Sequence, residues 1–104
     1  MASFSYLENH IEIWGQNKGI IGPGSTGTPM GQAIKTLEEV NELIEAIKWN
    51  DREGTLDAIG DIVVTLIMQC SLQNIPLTEC LQKAYDIISK RNGKMVDGVF
   101  VKEA

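Results

Sequence analysis

Five carboxylate side chains in the middle of the chain form two clusters that could bind a metal ion. In the first, Glu38 and Glu42 are four residues apart and Glu39 and Glu42 are three apart, so all three share one side of a helix. In the second, Asp57 and Asp61 are also four residues apart. Because like charges repel, a positive group is expected among them, and oxygen ligands in this number suit Mg²⁺ or Mn²⁺.

The residues that follow Asp61 make the second cluster the more informative of the two. Residues 62–72 carry no charge, and a helix that is apolar nearly all round is usually buried nearly all round. An unpaired charge on such a helix is very costly, so Asp57 and Asp61 need a positive partner. In the alternative interpretation, the two aspartates only offset the helix dipole near the N-terminus of their helix.

Helical periodicity predicts the four elements that must position these carboxylates. The predicted helices cover residues 5–17, 28–49, 56–73 and 78–93, the last of which has Lys90 and Arg91 in its final turn. Capping residues mark several of the ends: Ser5 with Glu8 forms a capping-box pattern, Thr28 and Thr78 precede helices, and Gly93 ends the fourth.

Two further segments lie outside the helices. Residues 19–31 are rich in Gly and Pro and predict either a flexible connection or a lid that orders over a ligand. Their match to a dinucleotide fingerprint is rejected, because that motif needs a preceding strand. Residues 94–102 predict a hairpin with Asp97-Gly98 as its two-residue turn. Two short strands are marginal alone, so we expect the hairpin to pack on something else, such as a second subunit.

The size and charge of the chain limit its class. Its 104 residues predict one domain, 1–104, whose limited core favours oligomerisation. A net charge of −5 argues against nucleic acid as a partner but not against a nucleotide, because bound cations reverse the local charge. Residues 62–72 are shorter than the roughly 20 needed to span a bilayer, and no signal peptide is visible. Cys70 and Cys80 indicate buried thiols in a reducing compartment, so we expect a soluble, intracellular protein without membrane partners.

Two residues near the clusters each have two interpretations. Lys35 lies within helical reach of the first cluster, where it forms either a surface salt bridge or a contact to a phosphate oxygen. Trp14 lies near the end of the first helix, where it either packs in the core or stacks on a base. The fold class expected from these elements is all-α: a four-helix bundle with a short C-terminal β-hairpin or extended tail.

The carboxylate pattern resembles that of the MazG-like all-α nucleoside triphosphate pyrophosphohydrolases, whose ExxE and ExxD metal motifs lie on two consecutive helices. In this chain the pattern is Lys35-x-x-Glu38-Glu39-x-x-Glu42-Leu, a spacer, and Asp57-x-x-Gly60-Asp61-Ile. The first helix with Trp14, the Gly-rich connection and the ending from Arg91 to Lys102 also resemble small phage-encoded members. The resemblance therefore covers most of the chain.

The resemblance implies roles for individual residues. The implied metal ligands are Glu39, Glu42 and Asp61, with Asp57 as a further candidate, and the candidate catalytic residues are Glu39 and Glu38, which lies beside the motif. The chain departs from the motif at one point, because the glutamate of ExxD is replaced by Ala58. Asp57 is the obvious substitute, since residues four apart also share a helical face.

The implied reaction converts an NTP or dNTP and water into the monophosphate and pyrophosphate. Water attacks the α-phosphorus with a glutamate as base, and Mg²⁺ or Mn²⁺ draws charge from the phosphate oxygens. The candidate substrate-binding residues are Trp14, Asn17, Gln32, Lys35, Lys90, Arg91 and Lys94.

The resemblance also suggests a substrate and an assembly. Similar small phage members convert dGTP to dGMP in viruses that replace adenine with 2-aminoadenine, so a purine substrate, dGTP first, is expected. Housecleaning of another dNTP is the close alternative. Members of this kind commonly form homodimers or homotetramers.

Two other classes compete with this interpretation. A non-catalytic acidic helical bundle that binds a protein by mimicking nucleic acid would explain the net charge, but not carboxylates beside an apolar helix. A di-iron protein would use Glu-x-x-His pairs, and the sole histidine, His10, lies outside both clusters. Nucleophilic catalysis by either cysteine lacks a neighbouring base.

Overall fold

The computed structural model describes residues 1–103, which form four α-helices followed by a β-hairpin. The predicted all-α class and the predicted order of elements are confirmed. The elements are α1 Phe4–Asn17, α2 Pro29–Lys48, α3 Arg52–Leu72, α4 Leu77–Ile88, β1 Gly93–Val96 and β2 Val99–Lys102.

α2 and α3 form an antiparallel pair with the most extensive packing between helices in the described chain. At one end of the pair, the Gln69 side-chain amide donates a hydrogen bond of 2.9 Å to the carbonyl of Pro29. At the other end, Gly54 packs near the Cβ atom of Ala46. Along the pair, residue numbers rise in one helix as they fall in the other. The two helices therefore run in opposite directions, as the short connection between them requires.

The turn between α2 and α3 is shorter than expected from the sequence. Asn50 takes a left-handed conformation with φ of 50°, which ends α2. Asp51 then caps α3, because its Oδ1 accepts a hydrogen bond of 2.9 Å from the Gly54 N–H. The predicted start near residue 56 was therefore wrong: residues 52–55 belong to the helix rather than to the turn.

The start of α1 also differs from the prediction, whereas its end at Asn17 agrees with it. Ser3, not Ser5, is the N-cap, and its hydroxyl accepts a hydrogen bond of 3.2 Å from the Tyr6 N–H. The capping box between Ser5 and Glu8 was therefore wrong. By contrast, Thr28 caps α2 as predicted, through a hydrogen bond of 3.0 Å from the Gly31 N–H to its Oγ1.

α4 is shorter than the sequence suggested. Its N-cap is Pro76, without a side-chain hydrogen bond, so the prediction of Thr78 as the cap was wrong. The helix ends at Ile88, and Lys90 and Arg91 follow it instead of occupying its last turn. The hairpin after it is confirmed, since β1 and β2 pair antiparallel around Asp97-Gly98, both with positive φ as the favoured two-residue turn requires.

The glycine-rich segment between α1 and α2 folds back into a small core. Ile21 is 4% exposed and packs with Ile67 and Met68 of α3. The N–H of Ile20 donates to the Gly15 carbonyl at 2.9 Å, which fixes the segment on the end of α1. The segment is therefore an ordered, anchored loop rather than a flexible connection.

α3 is exposed along much of its length within one chain. By length and composition it could cross a membrane, although only 22% of its most apolar 18-residue window is buried in this structure. The helix is long enough to do so because it begins at Arg52. Core helices of soluble proteins can have the same length and composition, so α3 is weak evidence for a membrane-spanning segment.

The two cysteines are free thiols in different surroundings. Cys80 is exposed, so the expectation that it is buried was wrong. Cys70 is partly buried, and desolvation, followed by the nearby Cys80 thiol, raises the pKa of Cys70. A raised pKa disfavours the reactive thiolate.

We predict opposite effects for the same substitution at two glycines. A methyl group at Gly15 would collide with Sδ of Met68, whereas a methyl group at Gly60 meets nothing within 4 Å. Gly15→Ala should lower the free energy of unfolding by about 1–3 kcal/mol through overpacking. Gly60→Ala should raise it by about 0.5–1 kcal/mol through helix propensity. Urea denaturation measures both, and equal stabilisation would contradict the packing of α1 on α3.

Candidate metal and nucleotide site

The structure brings three carboxylates from two helices together. Oxygen atoms of Glu39 and Glu42 on α2 and of Asp61 on α3 all lie within 4.8 Å of one another. The two glutamates are three residues apart and share one face of α2. Asp61 reaches them because α3 packs antiparallel against that face. We refer to these three residues as the carboxylate cluster.

Glu39 is the member of the cluster with the most unusual environment. It is 5% exposed, and its Oε1 lies 3.4 Å from Nζ of Lys35. Its Oε2 is buried and has no hydrogen-bond partner in the described residues. Leaving a buried charged oxygen unsatisfied is expensive. A hard divalent cation held by three carboxylates would satisfy this oxygen, so the residues fit Mg²⁺ or Mn²⁺.

The charges around the cluster shift two pKa values. The pKa of Glu42 is raised, because its protonated form can share a hydrogen bond with Glu39 and because the two like charges repel. The pKa of Lys35 is also raised, first by its hydrogen bond of 3.2 Å to Oε2 of Glu38 and then by Glu39. Glu38 is exposed and lies outside the carboxylate cluster, where it holds the lysine.

A pair of threonines connects the helices one turn away from the cluster. Thr36 Oγ1 donates a hydrogen bond of 2.8 Å to Oγ1 of Thr65, which is 5% exposed. Thr65 donates in turn to the carbonyl of Ile62 at 2.7 Å. The pair fixes the register that sets Glu39 opposite Asp61. The threonine pair was not predicted from the sequence, although Thr65 is a lone hydroxyl in a strongly apolar run.

A cleft of about 510 Å³ opens on one side of the cluster. Glu39, Asp61 and Lys35 lie at its charged side, and Trp14 and Gln32 line the remainder together with the anchored loop. Trp14 is 45% exposed, so one part of its ring is available to a ligand. Of the predicted pocket residues, Trp14, Gln32 and Lys35 therefore meet at this cleft, while Asn17 at the end of α1 does not line it.

A second cleft, of about 470 Å³, lies on the other side of Glu42 and Asp61. Asp57 lines this cleft but is not a member of the carboxylate cluster. Ala58 also lines it and is only 2% exposed, which leaves no room for the longer glutamate side chain of the ExxD motif without repacking. Trp49, which the sequence did not single out, forms one wall and donates a hydrogen bond of 3.1 Å from Nε1 to Glu45.

The remaining predicted substrate-binding residues lie elsewhere in the single chain. Lys90 and Arg91 line a separate cleft of about 480 Å³, together with Lys102. Lys94 lies on β1. Within residues 1–103, therefore, these cations line neither of the two clefts beside the carboxylate cluster.

The chain is similar to a known protein family and to a phage protein. The family described as "Phosphoribosyl-ATP pyrophosphohydrolase" matches residues 25–87, which is more than half of the chain and includes the whole cluster. The "Uncharacterized 18.2 kDa protein in rep-hol intergenic region" of Haemophilus phage HP1 (strain HP1c1) is 29% identical over 75 residues. That match covers 72% of this chain and 44% of the phage protein, so the chain spans less than half of its relative. No solved structure gives a significant match to the chain.

We predict that a divalent cation stabilises the fold through the carboxylate cluster. At a Mn²⁺ or Mg²⁺ concentration about 100 times Kd, linkage supplies about 2.7 kcal/mol, or a rise in Tm of about 10 °C or more for a domain of this size. Glu42→Gln should abolish most of that rise. Glu45→Gln, one turn along α2 and outside the cluster, should retain it. Differential scanning calorimetry with and without the cation provides the measurement, and an identical rise in both variants would exclude the cluster as the binding site.

Proposed function

We infer that this chain, which belongs to the phosphoribosyl-ATP pyrophosphohydrolase family, is a metal-dependent nucleoside triphosphate pyrophosphohydrolase that acts as a single domain. Its proposed reaction converts an NTP or dNTP and water into the monophosphate and pyrophosphate. The observation that carries the proposal is the buried, unsatisfied Oε2 of Glu39, which faces two further carboxylates beside an open cleft. This arrangement disfavours a purely structural role, because an unpaired buried charge reduces stability.

The proposed ligands are Glu39, Glu42 and Asp61, with Asp57 as an additional ligand from the second cleft. A Mg²⁺ or Mn²⁺ ion held there would draw charge from the phosphate oxygens and acidify the attacking water. Lys35 would neutralise a phosphate oxygen at the rim of the cleft, where Glu38 orients it through their hydrogen bond. Lys35 is cationic at neutral pH, and Glu38 followed by Glu39 raises its pKa further.

Proton transfer needs a base close to the α-phosphorus. We assign this role first to Glu39, because it lines the cleft and belongs to the cluster, and then to Glu38. The water oxygen would bond to the α-phosphorus while its proton passes to the carboxylate. The bond from the α-phosphorus to the bridging oxygen would break, and pyrophosphate would leave.

The base and sugar would occupy the cleft of about 510 Å³ beside Trp14 and Gln32. An aromatic ring next to an apolar wall suits stacking on a purine. We propose dGTP as the first candidate, supplying dGMP to phage nucleotide metabolism, and another dNTP in a housecleaning role as the alternative. The family description also suggests phosphoribosyl-ATP, which is a purine nucleotide with a triphosphate.

We further propose that the chain works as a homodimer or homotetramer in the cytoplasm, that of the host if a phage encodes it. The support is the large apolar surface that one chain leaves exposed on α2, α3 and α4. A non-catalytic acidic binding protein is the alternative that the net charge of −5 favours.

A substrate panel tests the proposed reaction. Common NTPs and dNTPs, 2-aminoadenine dATP and phosphoribosyl-ATP would be incubated with Mg²⁺ or Mn²⁺, and the products separated by chromatography. We expect monophosphate and pyrophosphate from one or two purine substrates. Release of single phosphate would contradict the mechanism. No product from folded protein would favour the acidic binding protein.

Glu42→Gln should reduce turnover of the best substrate by about 100-fold or more, because a ligand charge is lost at nearly constant shape. Glu45→Gln is the matched control on the same helix and should keep near wild-type turnover. Full activity of the Glu42 variant would show that the ligand assignment is incorrect.

Asp57→Asn tests whether this aspartate replaces the glutamate missing at position 58. We expect a smaller loss than for Glu42, about 10-fold in metal affinity, because Asp57 lies outside the cluster of three. Isothermal titration with Mn²⁺ measures the affinity, and steady-state kinetics measures the turnover. If both are unchanged, Asp57 has no part in the site.

A further inference from the structure

The two oxygens of the Glu39 carboxylate have different surroundings. Oε1 lies 3.4 Å from Nζ of Lys35, whereas Oε2 has no hydrogen-bond partner in the described residues. Oε2 is also buried, so bulk water does not solvate it. One cation, the ammonium group of Lys35, therefore already lies against Glu39, and the carboxylate has one oxygen left to pair with another cation.

The ammonium group of Lys35 bridges two carboxylates. Its Nζ lies 3.2 Å from Oε2 of Glu38 as well as 3.4 Å from Oε1 of Glu39. The two glutamates follow Lys35 by three and four residues on α2, the spacings at which side chains of a helix meet. Because Glu39 is nearly buried, salt screens its contact with Lys35 less than it screens an ordinary surface pair. A metal ion on the same two oxygens would have to displace the ammonium group, since both are positively charged.

The α3 side of the cluster does not provide ligands for two ions either. The residue three positions before Asp61, on the same side of the helix, is the buried Ala58 and not a carboxylate. Asp57 lines the second cleft but lies outside the carboxylate cluster. Within residues 1–103, no other three His, Cys, Asp or Glu side chains bring their ligand atoms as close together as the cluster does. As an additional ligand, Asp57 would therefore complete the coordination of one ion and not hold another.

Charge balance at the cluster leads to the same number of ions. Its three ionised carboxylates carry a formal charge of −3, and one divalent cation together with the Lys35 ammonium carries +3. The side chain of Glu38 is 60% exposed, so water solvates its charge. A second divalent cation would leave a partly buried site with an excess of positive charge, which is unfavourable. A triphosphate carries negative charge of its own, so a further cation would enter only with the nucleotide.

We propose that the nucleotide-free protein holds one divalent cation, which satisfies Oε2 of Glu39, and that the ammonium group of Lys35 takes the place of a second cation. The inference rests on the proposed function, which assigns the carboxylate cluster to a divalent cation. Lys35 thus determines how many ions the site holds. Removing its ammonium group would free one oxygen of Glu38 and one of Glu39, and carboxylate oxygens are the ligands that Mg²⁺ and Mn²⁺ prefer.

Counting bound Mn²⁺ tests the proposal without a measurement of turnover. The protein, without nucleotide, would be titrated with Mn²⁺, and EPR spectroscopy would follow the concentration of the free ion. Salt at about 0.15 M would screen weak binding to the acidic surface. Wild-type protein should bind one ion per chain. Lys35→Ala should bind two ions per chain, because the two oxygens that held the ammonium group become available as ligands.

Lys48→Ala is the matched control for the loss of a positive charge from α2. Lys48 forms an ion pair of 3.6 Å with Glu45, which lies outside the carboxylate cluster. This variant should still bind one ion per chain. The EPR spectrum of the bound ions provides a second readout, since two ions that share Glu39 should lie about 3.5–4 Å apart, as in two-metal sites. Magnetic coupling at that distance should broaden the spectrum of Lys35→Ala but not that of Lys48→Ala.

The outcomes distinguish a failure of this proposal from a failure of the proposed function. Two ions on the wild-type chain, with metal-dependent turnover, would overturn the single-ion proposal and leave the proposed function supported. One ion on both the wild-type chain and Lys35→Ala would show that the ammonium group does not take the place of a second cation. Two ions on Lys48→Ala as well would attribute the second ion to the overall charge of the protein. No bound ion on folded wild-type protein would contradict both the proposal and the proposed function.

Discussion

The antiparallel register of α2 and α3 is the constraint on which the rest of this structure depends. A shift of one helical turn moves every side chain by about 5.4 Å, more than the 4.8 Å within which the oxygens of the cluster lie. The apolar contacts between the helices tolerate small shifts, because they are not directional. The hydrogen bond from Thr36 to Thr65 is directional, and it lies next to the cluster on both helices. A buried polar contact thus selects one register among several that hydrophobic packing alone would allow.

The same register produces a conflict that a ligand can resolve. Packing α3 over α2 buries Glu39, yet it also brings Glu42 and Asp61 close to it. Lys35 offsets charge on one oxygen of Glu39, and the other oxygen has no partner in the described residues. The protein therefore accepts a local cost at this point, which is typical of functional sites rather than of cores optimised for stability. Such a site binds a cation more strongly because the alternative is an unpaired charge.

Local sequence rules predicted the parts of this arrangement that depend on neighbours along the chain. The spacing of Glu39 and Glu42, the Thr28 cap and the Asp97-Gly98 turn follow from residues within four positions of one another. The start of α3 was missed because asparagine, aspartate and glycine in 50–54 favour both a turn and a helix cap. The burial of Ile21 in the core was not predicted, because a glycine-rich segment shows no hydrophobic periodicity. The register of α2 on α3 depends on contacts between residues that are far apart in the chain. Rules based on neighbouring residues cannot predict it.

Stability and the site are coupled in this chain, because the helices that carry the carboxylates also carry its largest uncovered apolar stripes. The buried core consists of a few side chains around Ile21, Ile67 and Met68, which provides little stabilisation for helices of this length. Whatever covers the outer faces of α2 and α3 must therefore also restrain the positions of Glu39, Glu42 and Asp61. A cation bound on the inner face would act on the same two helices, since it would join ligands from both of them. Binding at one face would then stabilise the arrangement needed at the other, and the two events would favour each other by linkage.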